Sequence, residues 1–217
     1  MSLKTVYYKD IKIRLPSGII ISGPSGSGKT SFLMQLLQHA EDFITPEPKA
    51  ILYCYAQYNK HIPMLERAGI ICCAGIPDDE LIASLPRPLL IILDDLMGAV
   101  SEKYISDMFT RRAHHEGFSI IFIVQNLFEK HIRVARFNAQ YLILMRQPNS
   151  MMNVRNIAQQ LFPRNMGYFM AAYNDATAQP FGYLMIDLHA ASNPVLRLRT
   201  NILPGEEDPT IYLPRNV

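Results

Sequence analysis

Residues 18–37 read GIIISGPSGSGKTSFLMQLL, and the fold of the chain can be predicted outward from this stretch. Ile19, Ile20 and Ile21 form a β-branched run, which is typical of a strand that is buried on both faces. From Phe32 onward, apolar side chains repeat at helical spacing. The stretch therefore predicts a strand and a helix that are joined by the glycine-rich loop GPSGSGKT at residues 23–30.

The loop fits the phosphate-binding pattern G-x-x-x-x-G-K-[ST], and it lies between a strand and a helix, as that function requires. Its glycines let backbone N–H groups turn inward around a phosphate chain, and the helix adds its positive N-terminal end. Lys29 is predicted to hold the β- and γ-phosphates of ATP, and the Thr30 hydroxyl is predicted to bind Mg²⁺. The residues predicted to contact the nucleotide are Gly23, Pro24, Ser25, Gly26, Ser27, Gly28, Lys29, Thr30 and Ser31.

The composition predicts one folded domain with a large core. Of the 217 residues, 49% are hydrophobic and only 18% are charged, whereas charged residues usually make up roughly 25% of a soluble domain. Either one large core buries the apolar excess, or like subunits or another partner cover part of the surface. We predict a P-loop ATPase domain at residues 1–202 and an extended tail at 203–217, where prolines recur without a sustained period.

The apolar runs are too short to cross a membrane. Those around Ile19 and Leu89 fall well below the ~20 residues that a spanning helix needs, and Lys4, Lys9 and Asp10 stand near the N-terminus. The three cysteines show no C-x-x-C spacing, which argues against a zinc site or a disulfide framework. We therefore expect an intracellular protein without a membrane segment.

A second apolar run, LLIILDD at residues 89–95, ends in two carboxylates. A buried strand would carry Asp94 to the edge of the sheet, where it can hold Mg²⁺, and Asp95 can accept a proton from the attacking water. Asp95 is shorter than the glutamate that usually occupies this catalytic position. Together with the phosphate loop, the pair predicts ATP hydrolysis rather than nucleotide binding alone.

Arginines that can complete the active site follow in two later segments. The pattern over residues 102–115 predicts a helix with one apolar face, and Arg111 and Arg112 lie near its end. These cations either stabilise the end of the helix or act as an arginine finger on the γ-phosphate of a neighbouring subunit. Arg133 and Arg136, on a short basic helical segment, are the reserve candidates.

A further apolar run at residues 119–124 predicts a strand that ends at Gln125. A polar amide at the tip of a strand beside the phosphates can orient the attacking water or sense the γ-phosphate. A simple capping role is the alternative interpretation. Gln125 is therefore a candidate catalytic residue.

Four segments outside the phosphate loop carry a family resemblance: DDLM at 94–97, FTRRAHH at 109–115, QNLF at 125–128, and Arg133 with FNAQY at 137–141. With them, residues 17–200 resemble the FtsK/HerA-group DNA-packaging ATPases carried by Polinton (Maverick) elements, adintoviruses and poxvirus-related large DNA viruses. The resemblance implies an α/β P-loop NTPase fold of the additional-strand (RecA/FtsK/HerA-like) type, with a central, mostly parallel sheet and helices on both faces. It also implies that the strand ending at Gln125 lies between the phosphate-loop strand and the Asp94 strand.

The same resemblance implies a motor that works as a ring. ATP and Mg²⁺ would bind between the subunits of a homo-oligomer, a hexamer or a pentamer, and Arg111 or Arg112 of a neighbour would complete each site. Hydrolysis would drive double-stranded DNA through the pore into a capsid, with capsid or portal-vertex proteins as partners. The implied location is the host nucleus or a viral factory, and association with the virion is a further expectation.

Two other functions are consistent with the phosphate loop. The octet is close to the loop of guanylate-kinase-type nucleoside monophosphate kinases, but residues 35–48, after the first helix, contain no arginine for an acceptor phosphate. The second alternative is a nucleotide-gated assembly scaffold that binds ATP without turnover. The presence of Lys29, Thr30, Asp94 and Asp95 argues against a scaffold.

Overall fold

The computed structural model describes residues 11–214, and eleven strands are assigned within that range. In chain order the strands are β1 (Ile13–Arg14), β2 (Gly18–Ser22), β3 (Ile44–Thr45), β4 (Ala50–Tyr55), β5 (Ile71–Ala74), β6 (Leu89–Asp94), β7 (Phe118–Val124), β8 (Tyr141–Met145), β9 (Tyr183–Asp187), β10 (Leu198–Thr200) and β11 (Thr210–Ile211). Nine strands form one central sheet in the order β11-β10-β9-β8-β2-β7-β6-β4-β5, whereas β1 pairs with β3 in a small parallel ladder.

The middle of the central sheet is parallel. The neighbours β8, β2, β7, β6, β4 and β5 all run in the same direction, and β9, β10 and β11 extend one edge by antiparallel pairing. β7 lies between β2 and β6, with Ile121 opposite both Ile19 and Ile92. The mostly parallel α/β fold is therefore confirmed, and so is the predicted position of the strand that ends at Gln125.

The central strands are continuous apolar runs because both faces of the sheet are covered. Every residue of β2, β7 and β8 is buried. Successive side chains of a strand point to opposite faces, so Ile20 packs with Phe122 in one core cluster, whereas Ile19 and Ile21 pack in the other. A strand that is buried on both faces has no polar face, and this is why the runs do not alternate.

Nine α-helices are assigned within residues 11–214: α1 (Lys29–Gln38), α2 (Ala40–Phe43), α3 (Ile62–Arg67), α4 (Asp79–Ser84), α5 (Glu102–Asp107), α6 (Ala113–Glu116), α7 (Arg133–Asn138), α8 (Met151–Leu161) and α9 (Met166–Ala176). The helix predicted over residues 102–115 is present, but a π turn, Met108–Arg112, separates α5 from α6. This helical segment ends at Gly117, whose φ of 66° is the left-handed conformation that glycine favours. Within the described part of the chain, no helix has both the length and the apolar composition that a membrane span requires.

At both ends of the chain, the structure differs from the sequence-based prediction. The rough alternation of apolar residues at 5–15 predicts one or two edge strands before the phosphate loop. This stretch lies partly outside the described residues, and Ile13–Arg14 forms β1 away from the central sheet. At the other end, β11 pairs with β10, and the Tyr212 hydroxyl donates to Asp175 at 2.7 Å. Part of the segment 203–217, predicted as an extended tail outside the ATPase domain, therefore belongs to the central sheet.

The edge strand β5 is not predicted by the sequence pattern. Its residues are exposed or half-buried, so it lacks the continuous apolar run that marks the central strands. Cys72 and Cys73 lie on this strand and are half-buried, whereas Cys54 on β4 is fully buried. All three cysteines are free thiols.

Candidate nucleotide site

The carboxyl ends of β2, β7 and β6 meet at one edge of the sheet. Asp94 ends β6, and the phosphate loop, Asp95 and Gln125 follow the ends of these strands. Open α/β sheets bind ligands outside the carboxyl ends of their strands. A cavity of about 350 Å³ lies at this edge. It is lined by Ser25, Gly26, Lys29, Thr30, Tyr55, Ala56, Gln57, Tyr58, Asn59, Asp94, Asp95, Ile123, Val124 and Gln125.

The loop between β2 and α1 needs glycine for two different reasons. Gly26 and Gly28 have φ values of 78° and 97°, which side chains rarely tolerate. At Gly23 the reason is space, because an added Cβ would lie 2.6 Å from Ser27 Oγ and 2.7 Å from Met145 Cβ. Backbone of this kind at a helix N-terminus forms a concave anion site, so the loop fits the phosphates that its sequence predicts.

Lys29, the first residue of α1, folds back over the loop. Its Nζ donates to the carbonyl oxygens of Gly23 and Pro24 at 2.7 and 3.0 Å. Partial burial lowers the pKa of Lys29, and the carboxylates of Asp94 and Asp95 oppose that shift. An ammonium that is held here by carbonyls and attracted by two acids lies where a phosphate chain in the loop would meet it.

Asp94 ends β6 and is held by a residue that the sequence analysis does not identify. The Tyr53 hydroxyl, from β4, donates to Asp94 Oδ2 at 2.5 Å, and Asn59 Nδ2 donates to the Tyr53 oxygen at 3.4 Å. Burial raises the pKa of Asp94, the hydrogen bond from Tyr53 lowers it, and the neighbouring charge of Asp95 raises it further. The net shift is upward, so the fold disfavours the ionised form of Asp94.

Because folding raises the pKa of Asp94, its protonated form stabilises the folded state at low pH, and that stabilisation is lost as the pH rises through the folded pKa. Above that pKa the ionised carboxylate therefore destabilises the folded state. We expect Asp94→Asn to raise the unfolding temperature at pH 7, by about 2–4 °C for each kcal/mol by which the ionised carboxylate destabilises the fold. The gain should shrink as the pH falls through the raised pKa of Asp94, because the native aspartate is then protonated too.

Calorimetry or thermal circular dichroism at pH 7 and at pH 4 measures this effect. Asp208→Asn, at an exposed carboxylate outside the cavity, is the matched control and should leave the unfolding temperature unchanged. The same Asp94 variant should lose stabilisation by Mg²⁺ with ATP, because a ligand stabilises only the state that it binds. A lower unfolding temperature at pH 7 would contradict the interpretation of Asp94 as a metal ligand whose negative charge destabilises the folded state.

Asp95 and Gln125 project from the two neighbouring strand ends. Asp95 is exposed and has a φ of 55°, the left-handed region that aspartate and asparagine tolerate better than most residues. Gln125 is also exposed and directly follows β7. The structure thus brings Lys29, Thr30, Asp94, Asp95 and Gln125 together at one cavity, and their catalytic roles stay predictions.

The residues around Thr30 and Asp94 fit a magnesium ion. A hydroxyl and a carboxylate are hard oxygen ligands, and Mg²⁺ is usually bound by one or two carboxylates together with substrate phosphates. Within residues 11–214 no cluster of three or more His, Cys, Asp and Glu side chains could hold a metal by itself. The hydroxyl of Thr30 and the carboxylate of Asp94 suit a cation that arrives with a nucleotide.

Neither Arg111 nor Arg112 lines the phosphate cavity of its own chain. Arg112 has a side chain only 14% exposed, and it donates to Glu116 at 2.6 and 3.0 Å and pairs with Asp79 at 2.9 Å. The Arg111 side chain is 68% exposed, and its one ion-pair partner within the described chain, Asp107, is 3.9 Å away. Arg112 is therefore fixed within its own subunit, whereas Arg111 is available to a neighbour.

The two reserve candidates, Arg133 and Arg136, also differ in exposure. The guanidinium of Arg136 is buried, donates to the Leu127 carbonyl at 2.9 Å, and lies 4.2 Å from the centre of the Phe128 ring. Arg136 thus packs against the QNLF segment at residues 125–128. It is buried, although the sequence pattern places it on a short basic helical segment. Arg133 is exposed on α7. Among the four candidate fingers, Arg111 and Arg133 are the two with exposed side chains in the described structure.

Five lining residues at 55–59 are missed by the sequence analysis. Tyr55 ends β4 and the other four follow it. Because β4 lies next to β6, their position at the same edge depends on the order of the strands. The apolar run at residues 50–55 predicts a buried strand, and the polar run AQYN directly after it is the signal that points to these residues.

Comparison with protein-family models and with the curated proteins finds no match. Among solved structures, the chain is similar to the genome packaging NTPase B204 of Sulfolobus turreted icosahedral virus 2 in complex with AMPPCP. That match has a TM-score of 0.54 and 12% identity, and it covers 92% of this chain and 98% of the other.

Two further ATPases also match. EssC (ATPases 2 and 3) from Geobacillus thermodenitrificans gives a TM-score of 0.53 at 14% identity, covering 97% of this chain and 41% of that one. The cytoplasmic domain of the type VII secretion ATPase EccC from Thermomonospora curvata gives 0.52 at 17% identity, covering 82% and 24%. The chain therefore shares its fold with a viral genome packaging NTPase over nearly the whole length of both proteins, and with single parts of larger ATPases.

Proposed function

We propose that this chain is the ATPase subunit of a ring motor that moves double-stranded viral or transposon DNA into a capsid. The observation that carries the proposal is the convergence of Lys29, Thr30, Asp94, Asp95 and Gln125 on one cavity beside a glycine-rich loop. These five side chains supply every group that one subunit must contribute to the hydrolysis of a nucleoside triphosphate. The remaining group is a cation from a neighbouring subunit.

The reaction is the attack of water on the γ-phosphate of ATP. The water oxygen forms a bond to γ-phosphorus, the bond from that phosphorus to the β–γ bridging oxygen breaks, and ADP leaves with the bonding electrons. Asp95 accepts the proton of the attacking water, and Gln125 orients that water. Lys29 offsets the charge on the β- and γ-phosphates. Thr30 and Asp94 would hold Mg²⁺, which would supply positive charge beside the phosphate oxygens.

The assembly we propose is a homo-oligomeric ring of six or five subunits, with the nucleotide between neighbours. Arg111 is the cation that we assign to the adjacent site, because Arg112 is held by Glu116 and Asp79. The low charged fraction of 18% supports subunit contacts, since a ring covers apolar surface that a monomer would expose.

Packaging is favoured over the alternatives by three observations. The motifs at 94–97, 109–115 and 125–128 resemble those of packaging ATPases, and a genome packaging NTPase shares the fold across its length. A monophosphate kinase needs arginines for its second phosphate, and no arginine lines the described phosphate cavity. A scaffold without turnover has no use for Asp95 beside the metal ligand. We propose capsid or portal-vertex proteins as partners. The proposed location is the host nucleus, a viral factory or the virion.

A turnover assay tests the function. Purified protein should release phosphate from ATP, and double-stranded DNA should stimulate the rate, whereas added nucleoside monophosphates should yield no diphosphate product. Lys29→Ala is the control and should lose both ATP binding and phosphate release. Transfer of phosphate to a monophosphate would show a kinase, and ATP binding without turnover would show a scaffold. Electron microscopy with AMPPCP should show closed rings.

A further inference from the structure

A second cavity lies on the other side of the phosphate loop. Its volume is about 720 Å³, and it shares no lining residue with the cavity that holds Asp94 and Gln125. Gly28, Ser31 and Gln35, at the start of α1, form one wall. The opposite wall comes from the loop between α9 and β9 and from residues 200–212.

The loop residues show which end of a nucleotide each cavity would receive. Lys29, Thr30 and the two acids line the first cavity, so the γ-phosphate end of the chain belongs there. A triphosphate that runs across the loop must then carry its nucleoside to the opposite side. Ser31, the residue directly after Thr30, faces that side.

Phe181 occupies the opposite wall in an unusual conformation. Its side chain is 64% exposed, although it is a large aromatic, and its φ is 65°, a strained value for a bulky residue. A Cβ added at Gly28 would lie 3.1 Å from the Phe181 ring, so the ring stands directly beside the phosphate loop.

The backbone next to Phe181 is fixed by close packing. Gly182 admits no side chain, because an added Cβ would lie 2.5 Å from the Ala176 carbonyl oxygen at the end of α9. The Gly182 carbonyl also accepts a hydrogen bond from the Arg146 N–H at 3.0 Å. An exposed aromatic held in a strained conformation by a tightly packed neighbour indicates a binding role rather than a packing role.

We propose that Phe181 is the platform on which the base of the bound nucleotide stacks. The side-chain amides of Gln35 and Gln179, in the same cavity, are the groups that read the edge of the base. This inference rests on the proposed nucleotide site and adds to it the residues that distinguish a nucleotide from inorganic phosphates.

The chain contains no tryptophan, so Phe181→Trp introduces a single tryptophan at the proposed platform, and its emission can be excited selectively over that of the tyrosines. ATP should quench or shift its emission, because the base stacks on the indole. Inorganic tripolyphosphate fills the loop without a base and should leave the emission unchanged. Phe137→Trp, at a phenylalanine that is 61% exposed and lines neither cavity, is the matched control and should not respond to ATP.

Affinity provides the second measurement. Phe181→Ala should weaken ATP binding by roughly 5- to 150-fold, the range expected for loss of base stacking, and should leave tripolyphosphate binding unchanged. Phe181→Tyr should retain the affinity for ATP. Because the side chain is exposed, the unfolding temperature of Phe181→Ala should stay near that of the wild type.

The outcomes separate this inference from the proposed function. Wild-type protein that binds ATP, together with a Phe181→Ala variant that binds it equally well, would overturn the stacking role alone. Equal weakening of ATP and tripolyphosphate would overturn it too, since the ring would then act on the phosphate loop. Wild-type protein that binds neither ligand would overturn the nucleotide site and the inference together.

Discussion

Arg111→Ala should bind ATP and assemble normally, yet hydrolyse ATP about 10³- to 10⁵-fold more slowly than the wild type, the range that an arginine finger contributes. A cation that merely rests near a helix end is worth only ~0.3–1 kcal/mol of stability and nothing in catalysis. The size of the rate loss therefore separates the two roles of Arg111 without any need for a structure of the ring.

Arg112→Ala is the matched control, one residue away on the same π turn. Its guanidinium is already bound to Glu116 and Asp79, so its loss should lower the unfolding temperature and leave the turnover number within a few-fold of wild type. Phosphate release, ATP titration and calorimetry on both variants give the comparison. A large rate loss for Arg112→Ala with Arg111→Ala near wild type would contradict the assignment.

Mixing two inactive variants tests whether Arg111 acts on a neighbouring subunit. A Lys29→Ala subunit cannot turn over its own ATP but still carries Arg111, so it can complete the site of an adjacent Arg111→Ala subunit. Mixed rings should therefore regain part of the activity that both pure preparations lack. Co-assembly without recovery would exclude a trans role at this position, and Arg133, the other exposed candidate, would then be expected to show the rate loss and the complementation.

The core of the fold is predictable because its strands are buried on both faces. Each of the runs at 19–21, 89–93 and 120–124 is apolar without alternation. The first leads through Ser22 into the phosphate loop, and the other two are followed directly by Asp94 and Gln125, which line the cavity. The order of these strands cannot be predicted from apolar periodicity, because strand order leaves no periodic pattern in a sequence. The family resemblance predicts the position of β7, and the observed pairing of β7 with both β2 and β6 confirms it.

The features that sequence patterns miss depend on contacts between distant segments. Tyr53 lies inside a strand and reads as a core residue, although its hydroxyl is the hydrogen-bond donor to Asp94, 41 positions away. Phe181 reads as part of a loop, and its place beside Gly28 follows only from the packing of α9 and β9. The choice between Arg111 and Arg112 depends on Asp79, which is likewise remote in sequence and close in space.

Asp95→Asn should retain Mg²⁺-dependent ATP binding and lose hydrolysis by about 10²- to 10⁴-fold, the contribution of a positioned general base. Asparagine has nearly the same shape and accepts the left-handed backbone of φ 55° as well as aspartate does, so the fold and the loop should be unchanged. The substitution replaces a carboxylate oxygen by an NH₂ group and removes the negative charge, so the proton acceptor is lost. Nucleotide titration and single-turnover phosphate release measure binding and chemistry separately.

Asp94→Asn supplies the contrast, since Asp94 and Asp95 are adjacent in the chain but differ in environment. Asp94 is partly buried and bonded to Tyr53, as suits a fixed metal ligand, whereas Asp95 is exposed to the cavity, as suits a group that meets water. Asp94→Asn should therefore weaken the Mg²⁺-dependent part of ATP binding, and Asp95→Asn should not. If Asp95→Asn lost ATP binding and Asp94→Asn retained both binding and the metal dependence, the two carboxylates would have exchanged roles, and the water would have to be activated from the Tyr53 side of the cavity.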